Sequence, residues 1–544
     1  MTMFGRCRLG ACLGVLLWWA VPAAAQEPVA ENPAPASEVS LTADPAPADP
    51  VADPVPVDGA TDATEVVPGE EMPPELAPAE SAILASDAPP EEPGMEASPD
   101  IYRDFGDYYM RHGSLDEAEA SFRKALERAP GAVSLYIKLG EVLRLQGRTE
   151  EAVGYLQKGV ELDPDGAEAR NNLGVALIEL GELEVAEALY ADLLEDHPGY
   201  ALGYVNLGVA QLKSGKSDLA VAQYNKAIAI DPENTHTYYN IGNAYLDLGR
   251  PQEALSWFDR ALERDPDQAV IHNNQGVALR ALGRLGDAVE AYGRAIALDA
   301  EDPDFYFNLG VAEAEMGEVE ASIIAYRNVL ELNDRYPGVH HNQGTNYYRL
   351  NVPSQAEGFF GRASELAPND PVPVNNLCVV LLAQKRHDDA LSVCDQAVEL
   401  DPEYRDAAYN RIQVLLAVGR YEKAVGEGQQ LLGRLEAGGN SERAQVLTAL
   451  SAAHFGLEQW AAAAEAADEA LQADPNLARA HYNRGRVYQQ QAHNLLAMES
   501  FKMATQLDNR DAEAFMRLGE VYDRLGQPEA AEAAYRRGGR LNLE

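Results

Sequence analysis

The stretch 235–268, THTYYNIGNAYLDLGRPQEALSWFDRALERDPDQ, decides the fold. Apolar and small residues recur in it at helical spacing twice, first through Ile241, Gly242 and Tyr245, then through Ala254, Phe258 and Ala261. Gly249 breaks the pattern and ends the first helix, and Pro266 marks the exit from the second. Gly242 and Ala254 are small because two antiparallel helices approach closely there, while Tyr245, Phe258 and Ala261 fill the rest of the contact. Such a pair leaves one face bare and is stable only when neighbours cover it.

Working outward, the same spacing continues in both directions. Glycine falls at 106, 140, 174, 208, 242, 276, 310 and 344, each 34 residues after the last. Proline keeps the period at 130, 164, 198, 232 and 266, and alanine keeps it from 118 to 288 and again at 356, 390 and 424, with Ser322 between. Acid recurs at the start of the second helix, as in Asp116-Glu117 and Glu150-Glu151, where the helix dipole favours it. A period of this length means a stacked array.

The string Ile241-Gly242, Tyr245, Ala254, Phe258, Ala261 and Pro266 resembles the motif of the tetratricopeptide repeat (TPR) family. The resemblance implies an all-α fold, a right-handed superhelical solenoid of about thirteen helix-turn-helix units with a concave groove. With position one at Pro99, units start at 99, 133, 167, 201, 235, 269, 303, 337, 371, 405, 444, 478 and 512. Units one to ten then span 99–443, and units eleven to thirteen span 444–544.

Three departures stand out. The tenth unit is five residues too long, with Gly438-Gly439-Asn440-Ser441 as the expected insertion and a bend or hinge expected there. In the eleventh, Ala467 stands where an aromatic belongs and His454 where tyrosine would be, so looser packing is expected. The thirteenth ends without an extra polar helix, which leaves a stripe at Ala530, Ala534, Leu541 and Leu543 to cover.

Two other pieces precede the array. Residues 1–25 read as an export signal: Arg6 and Arg8, an apolar run from Leu9 to Val21, and small residues before a cleavage expected after Ala25. Most of that apolar run follows Cys12 instead of preceding it, which argues against lipidation, and separated arginines argue against twin-arginine export. No stable membrane anchor is expected once the signal is removed. Residues 26–98 read as a disordered, acidic Pro/Ala-rich linker; from 26 to 100 there are 18 acidic residues, no basic ones and 16 of the 32 prolines. The formal net charge of -44 excludes nucleic acid as an expected partner. That charge is uneven, since residues 478–544 hold ten basic against nine acidic side chains.

Cys378 and Cys394 remain after signal removal, at positions 8 and 24 of the ninth unit. Helices that reverse near position 15 bring those positions opposite one another, so an oxidising compartment is expected to bridge them, which stabilises by about 3 kcal/mol on the chain-entropy model. Their spacing is not Cys-x-x-Cys, which argues against a redox-active pair.

Position 6 reads Asn172, Asn206, Asn240, Asn274, Asn308, Asn342, Asn376 and Asn410, with Asn483 later. One helical turn on come Val175, Val209, Val277, Val311 and Val379; Tyr239, Phe307, Tyr409 and Tyr482 sit one residue before the asparagine. In the family the first helices line the inner surface. A carboxamide matches a peptide bond as donor and acceptor, so the ladder is a candidate for holding an extended backbone, with aromatics as anchors. It resembles the asparagine ladder in the TPR superhelix of the O-linked N-acetylglucosamine transferase. The alternative is that these amides bond between neighbouring units. A carboxylate clamp of the cochaperone type is not completed, since its lysine position reads Arg103, Ile137, Asn171, Val205, Tyr239, Asn273 and Phe307.

No phosphate loop, His-Glu-x-x-His or nucleophile elbow is present, and no cofactor or metal is expected. His272, His340 and His481 share a packing position. The expectation is a non-enzymatic, periplasmic or secreted scaffold with a protein or peptide partner. A self-associating scaffold joined through the C-terminal end and an accessory subunit of a polysaccharide-secretion apparatus are the alternatives.

Overall fold

In a computed structural model, residues 98–435 and 440–541 are described. The export signal, the linker up to residue 97 and Leu543 lie outside them. The described residues form twenty-six helices and no strand, paired into thirteen units. Each unit packs its two helices together and on the next unit, and first helices of successive units also touch, as Ala201–Lys213 does with Ala167–Glu179. The result is an all-α solenoid. No described helix is long and apolar enough to cross a membrane.

Local sequence sets the unit. In the fifth, the Asn234 side chain accepts from the backbone N–H of Thr237 at 3.0 Å and caps the helix Thr235–Asp247. Pro251 then opens Pro251–Leu262, where its missing N–H costs nothing. Between them Gly249 has φ +64°. Position 15 is left-handed in every unit, filled by glycine nine times and by Asn351, Lys385, Glu458 and Ala492 in the other four.

The helices of a unit touch at positions 8 and 24, which share one volume. A methyl group on Gly242 would lie 2.3 Å from the Phe258 ring, and one on Gly174 would lie 2.4 Å from that of Tyr190. The tenth unit reverses the sizes, with Ile412 at position 8 and Gly428 at position 24, where an added methyl group would lie 2.7 Å from Leu450 of the next unit. The eleventh uses two small residues, Ser451 and Ala467, and Ser451 donates from its hydroxyl to the Ala463 carbonyl at 2.8 Å. The position-20 alanines are sealed: Ala118, Ala152, Ala254 and Ala463 are all 0% exposed.

The departures resolve as follows. The extra length of the tenth unit enters largely as helix: Asn440–Gly456 has 17 residues where most first helices have 13. Asn440 and Ser441 are thus helical rather than part of a loop, and residues 436–439 lie outside the described set. The looser eleventh unit gives way to a sealed one, because Ala463, Ala467 and Ala470 leave no exposed surface. The last helix, Pro528–Leu541, buries Ala531, Ala534 and Gly538, while Ala530 and Leu541 are half-buried. It exposes no large apolar side chain among the described residues, so the expected bare stripe is mostly covered; its outer face carries Arg536, Arg537 and Arg540.

Candidate functional site

The asparagine ladder is built into the seams between units. Asn206 donates to Oδ1 of Asn171 at 2.9 Å, Asn308 to Asn273 at 3.0 Å and Asn410 to Asn375 at 2.9 Å. Asn274 donates to the Tyr239 hydroxyl at 3.0 Å and to Asn243 at 2.9 Å, and Asn483 to the Thr448 carbonyl at 3.0 Å. In each case the position-6 amide meets position 5 of the preceding unit, 35 residues back. The exceptions follow from what stands there. Phe307 offers no acceptor, and Asn342 turns to the Tyr326 hydroxyl at 3.1 Å. Ile137 offers none either, and Asn172, partly exposed, donates to the Glu168 carbonyl of its own helix at 3.0 Å. Behind Asn240 stands Val205, and both polar atoms of this fully buried amide lack a partner; those of Asn376 do so too.

This arrangement corrects the expected direct contact with a ligand backbone. Asn206, Asn240, Asn274, Asn308, Asn342, Asn376 and Asn410 are between 0 and 2% exposed, which leaves no surface through which an amide meets a peptide. Val175, Val209 and Val311 are equally sealed, as are Tyr239 and Phe307. They are packing residues in the seams. Val277 is half-buried, and Tyr409 is half-buried on an open groove.

That groove runs across units nine to twelve and has a volume of about 580 Å³. It forms where the ladder is interrupted. In the eleventh unit, Ala449 and Ala452 take the positions that elsewhere carry asparagine and valine, and the missing bulk opens the inner face. Tyr409, Tyr421 and Phe455 line it. Tyr421 lies so close to Gly456 that an added methyl there would sit 2.6 Å from its ring, so glycine is required at that point. Trp460 packs edge-on against Phe455, centroids 5.0 Å apart, and fixes that ring.

Charge in the groove is one-sided. Its lining includes Lys385, Arg479 and Arg486 and no carboxylate. The Arg486 guanidinium lies 3.8 Å from the centre of the Phe455 ring, and that of Arg479 4.6 Å from Tyr482. Burial lowers the pKa of Arg486, because removal from water disfavours its charge. The place of this groove was not legible from the ladder; the signal for it was Ala449 and Ala452, the two breaks in the repeat.

Cys378 and Cys394 face each other across the helices Pro371–Ala383 and His387–Leu400, with Cα atoms 5.3 Å apart and sulfurs within bonding distance. The shared histidine position has a use beyond packing. His272 and His481 donate from Nε2 to the carbonyls of Pro266 and Pro475, at 2.9 and 3.0 Å, and His340 does so to Asp334 at 2.9 Å. Tyr136 and Tyr238 tie the same carbonyl six residues upstream, at 3.1 and 3.0 Å, which satisfies the loop that enters each unit.

Comparison with known proteins agrees with this architecture. Models described as tetratricopeptide or TPR repeat match residues 103–167, 143–204, 205–269, 276–317, 303–336, 381–447, 478–511 and 512–542. The human protein O-mannosyl-transferase TMTC1 is 28% identical over 202 residues, which is 36% of this chain and 22% of that protein, so the chain spans under a quarter of that relative's length. Among solved structures, the APC/C hetero-tetramer Cut9-Hcn1 is 15% identical, with 86% of this chain and 96% of that one covered and a TM-score of 0.43. MamA is 26% identical over 30% of this chain and 95% of its own, with a TM-score of 0.29. YrrB, described as a TPR protein with an unusual peptide-binding site, is 23% identical over 35% of this chain and 97% of its own, also at 0.29. With its units matched over more than half its length, the chain belongs to the tetratricopeptide repeat family.

Proposed function

We propose that this protein is a non-enzymatic binding scaffold, exported to the periplasm or beyond, that holds an extended segment of a partner protein in the groove of units nine to twelve. One observation carries the reading: half-buried aromatic and aliphatic side chains beside stacked guanidiniums and free of carboxylates, on an array whose ladder asparagines from Asn206 to Asn410 are sealed in seams. Rings bind apolar side chains of an extended chain, while Arg479, Gln413 and Gln445 reach its polar groups. The asparagines act indirectly by fixing the pitch between units. No sugar transfer is included, because the likeness to the mannosyl-transferase spans 22% of that protein.

Export fits the charged and apolar start of the sequence, and an oxidising compartment fits a bridge between Cys378 and Cys394. The test is affinity capture from the exporting compartment with the parent protein and with Tyr409→Ala/Phe455→Ala. A protein partner retained by the parent and lost by the variant, with helicity unchanged, is the expected result. Equal recovery with both would rule out this groove.

A further inference from the structure

Acidic side chains outnumber basic ones by 87 to 43 in this chain, so a groove lined by Lys385, Arg479 and Arg486 and by no carboxylate is not what the composition yields by default. Two other clefts show the contrast. Glu187 and Glu195 line one between units three and four, and in one between units eight and nine Arg386 is already paired with Glu357 at 2.7 Å and with Asp389 at 2.8 Å. In the groove, neither Lys385 nor Arg486 forms an ion pair among the described residues, and Arg479 comes within only 4.0 Å of Asp511 and Glu513. A guanidinium stacked on a ring, as Arg486 is on Phe455, keeps in-plane N–H donors for a carboxylate.

The cations stand at the two ends of the groove. Lys385 belongs to unit nine, Arg479 and Arg486 belong to unit twelve, and Tyr409 and Phe455 lie between them in units ten and eleven. Beside those rings, Ala449 and Ala452 leave room for a bulky side chain. Three unit steps at ~10 Å each, less the reach of the side chains toward one another, amount to roughly 20–30 Å. At ~3.3 Å per residue an extended segment covers that distance in about six to nine residues. A chain terminus brings one carboxylate and meets only one end; acidic side chains placed before and after an apolar one meet both.

We propose that the groove selects partner segments in which a bulky apolar side chain, seated against Tyr409 and Phe455 beside Ala452, is flanked on both sides by side-chain carboxylates, which pair with Lys385 at one end and with Arg479 and Arg486 at the other. The inference rests on the reading of this groove as the binding surface and adds which segments it accepts. A segment of the same shape without acid, or with acid on one side only, leaves at least one end of the groove unpaired and binds more weakly.

The test uses the full chain and fluorescence anisotropy with three labelled peptides whose ends are blocked. The first is Glu-Asp-Glu-Ser-Phe-Leu-Ser-Glu-Asp-Glu, the second replaces its acids by the matching amides, and the third replaces Phe-Leu by Ser-Ser. The first is expected to bind at least tenfold more tightly than either of the others. Its affinity is expected to fall at least fivefold with Lys385→Gln/Arg479→Gln, which leaves the stack of Arg486 on Phe455 in place, and also with Ala452→Leu, which fills the groove and keeps every charge; circular dichroism confirms that both variants are folded. Equal binding of the acidic and amide peptides, binding of the first that neither variant weakens, or no binding of any peptide would overturn the proposal. Its failure is distinct from that of the groove itself: a captured partner that is lost with Tyr409→Ala/Phe455→Ala but whose bound segment lacks acid keeps the groove and discards this specificity, whereas undiminished binding of the first peptide to that variant discards both.

Discussion

Asn410 and Asn240 occupy the same position of the same motif, yet their surroundings differ. Asn410 finds Oδ1 of Asn375 at 2.9 Å, whereas Asn240 is backed by Val205 and buries two polar atoms without partners. Removing a buried hydrogen-bond partner costs the desolvation of the group left behind, about 1–3 kcal/mol. Asn410→Ala should therefore lower stability by that amount, and Asn240→Ala by less than about 1 kcal/mol, since it removes an amide already unsatisfied. Denaturant unfolding, with hydrogen exchange to locate the loss, checks the difference; equal effects would contradict the seam assignment. The regular asparagines were plain in the sequence, but their role was not. It depends on whether an acceptor stands 35 residues earlier, as Asn171, Asn273 and Asn375 do and as Val205 and Ile137 do not.

At the scale of the element, the helix boundaries followed the period closely, because position 15 closes the first helix in every unit. The four non-glycine residues there adopt a conformation that costs an L-residue roughly 1–2 kcal/mol. Ala492, at φ 56°, has no polar side chain to compensate. Ala492→Gly should raise the stability by a few tenths to about 1 kcal/mol, read as a higher unfolding midpoint, the strain relieved less the added freedom of the unfolded chain. A lowered midpoint would mean that the strain is not felt. Length alone did not reveal how the tenth unit takes up five extra residues. Glycines at 438 and 439 pointed to a loop, while the following residues had enough helix-forming neighbours to extend Asn440–Gly456 to 17 residues.

Over the whole molecule, the fold was legible because a period of 34 is repeated often enough to fix one solution, and the family match agrees with it. The binding surface was hidden for the same reason: attention goes to what repeats, whereas the groove opens where Ala449 and Ala452 do not. Arrays of this kind are stabilised unit by unit, so a local constraint acts locally. Reduction of a bridge between Cys378 and Cys394 should cost about 3 kcal/mol around units eight to ten and leave hydrogen exchange in units one to five unchanged. An exchange pattern identical with and without reductant would show that the thiols are free.

The central claim is that the groove binds and the ladder supports. Titration calorimetry with the captured partner segment, comparing the parent, Tyr409→Ala/Phe455→Ala and Asn206→Ala/Asn308→Ala/Asn410→Ala, tests it most directly. The account predicts at least a tenfold loss of affinity for the groove variant and a change within about twofold for the ladder variant at a temperature where it remains folded, 1.4 kcal/mol corresponding to about tenfold. Full affinity in the groove variant together with lost binding in a folded ladder variant would contradict it.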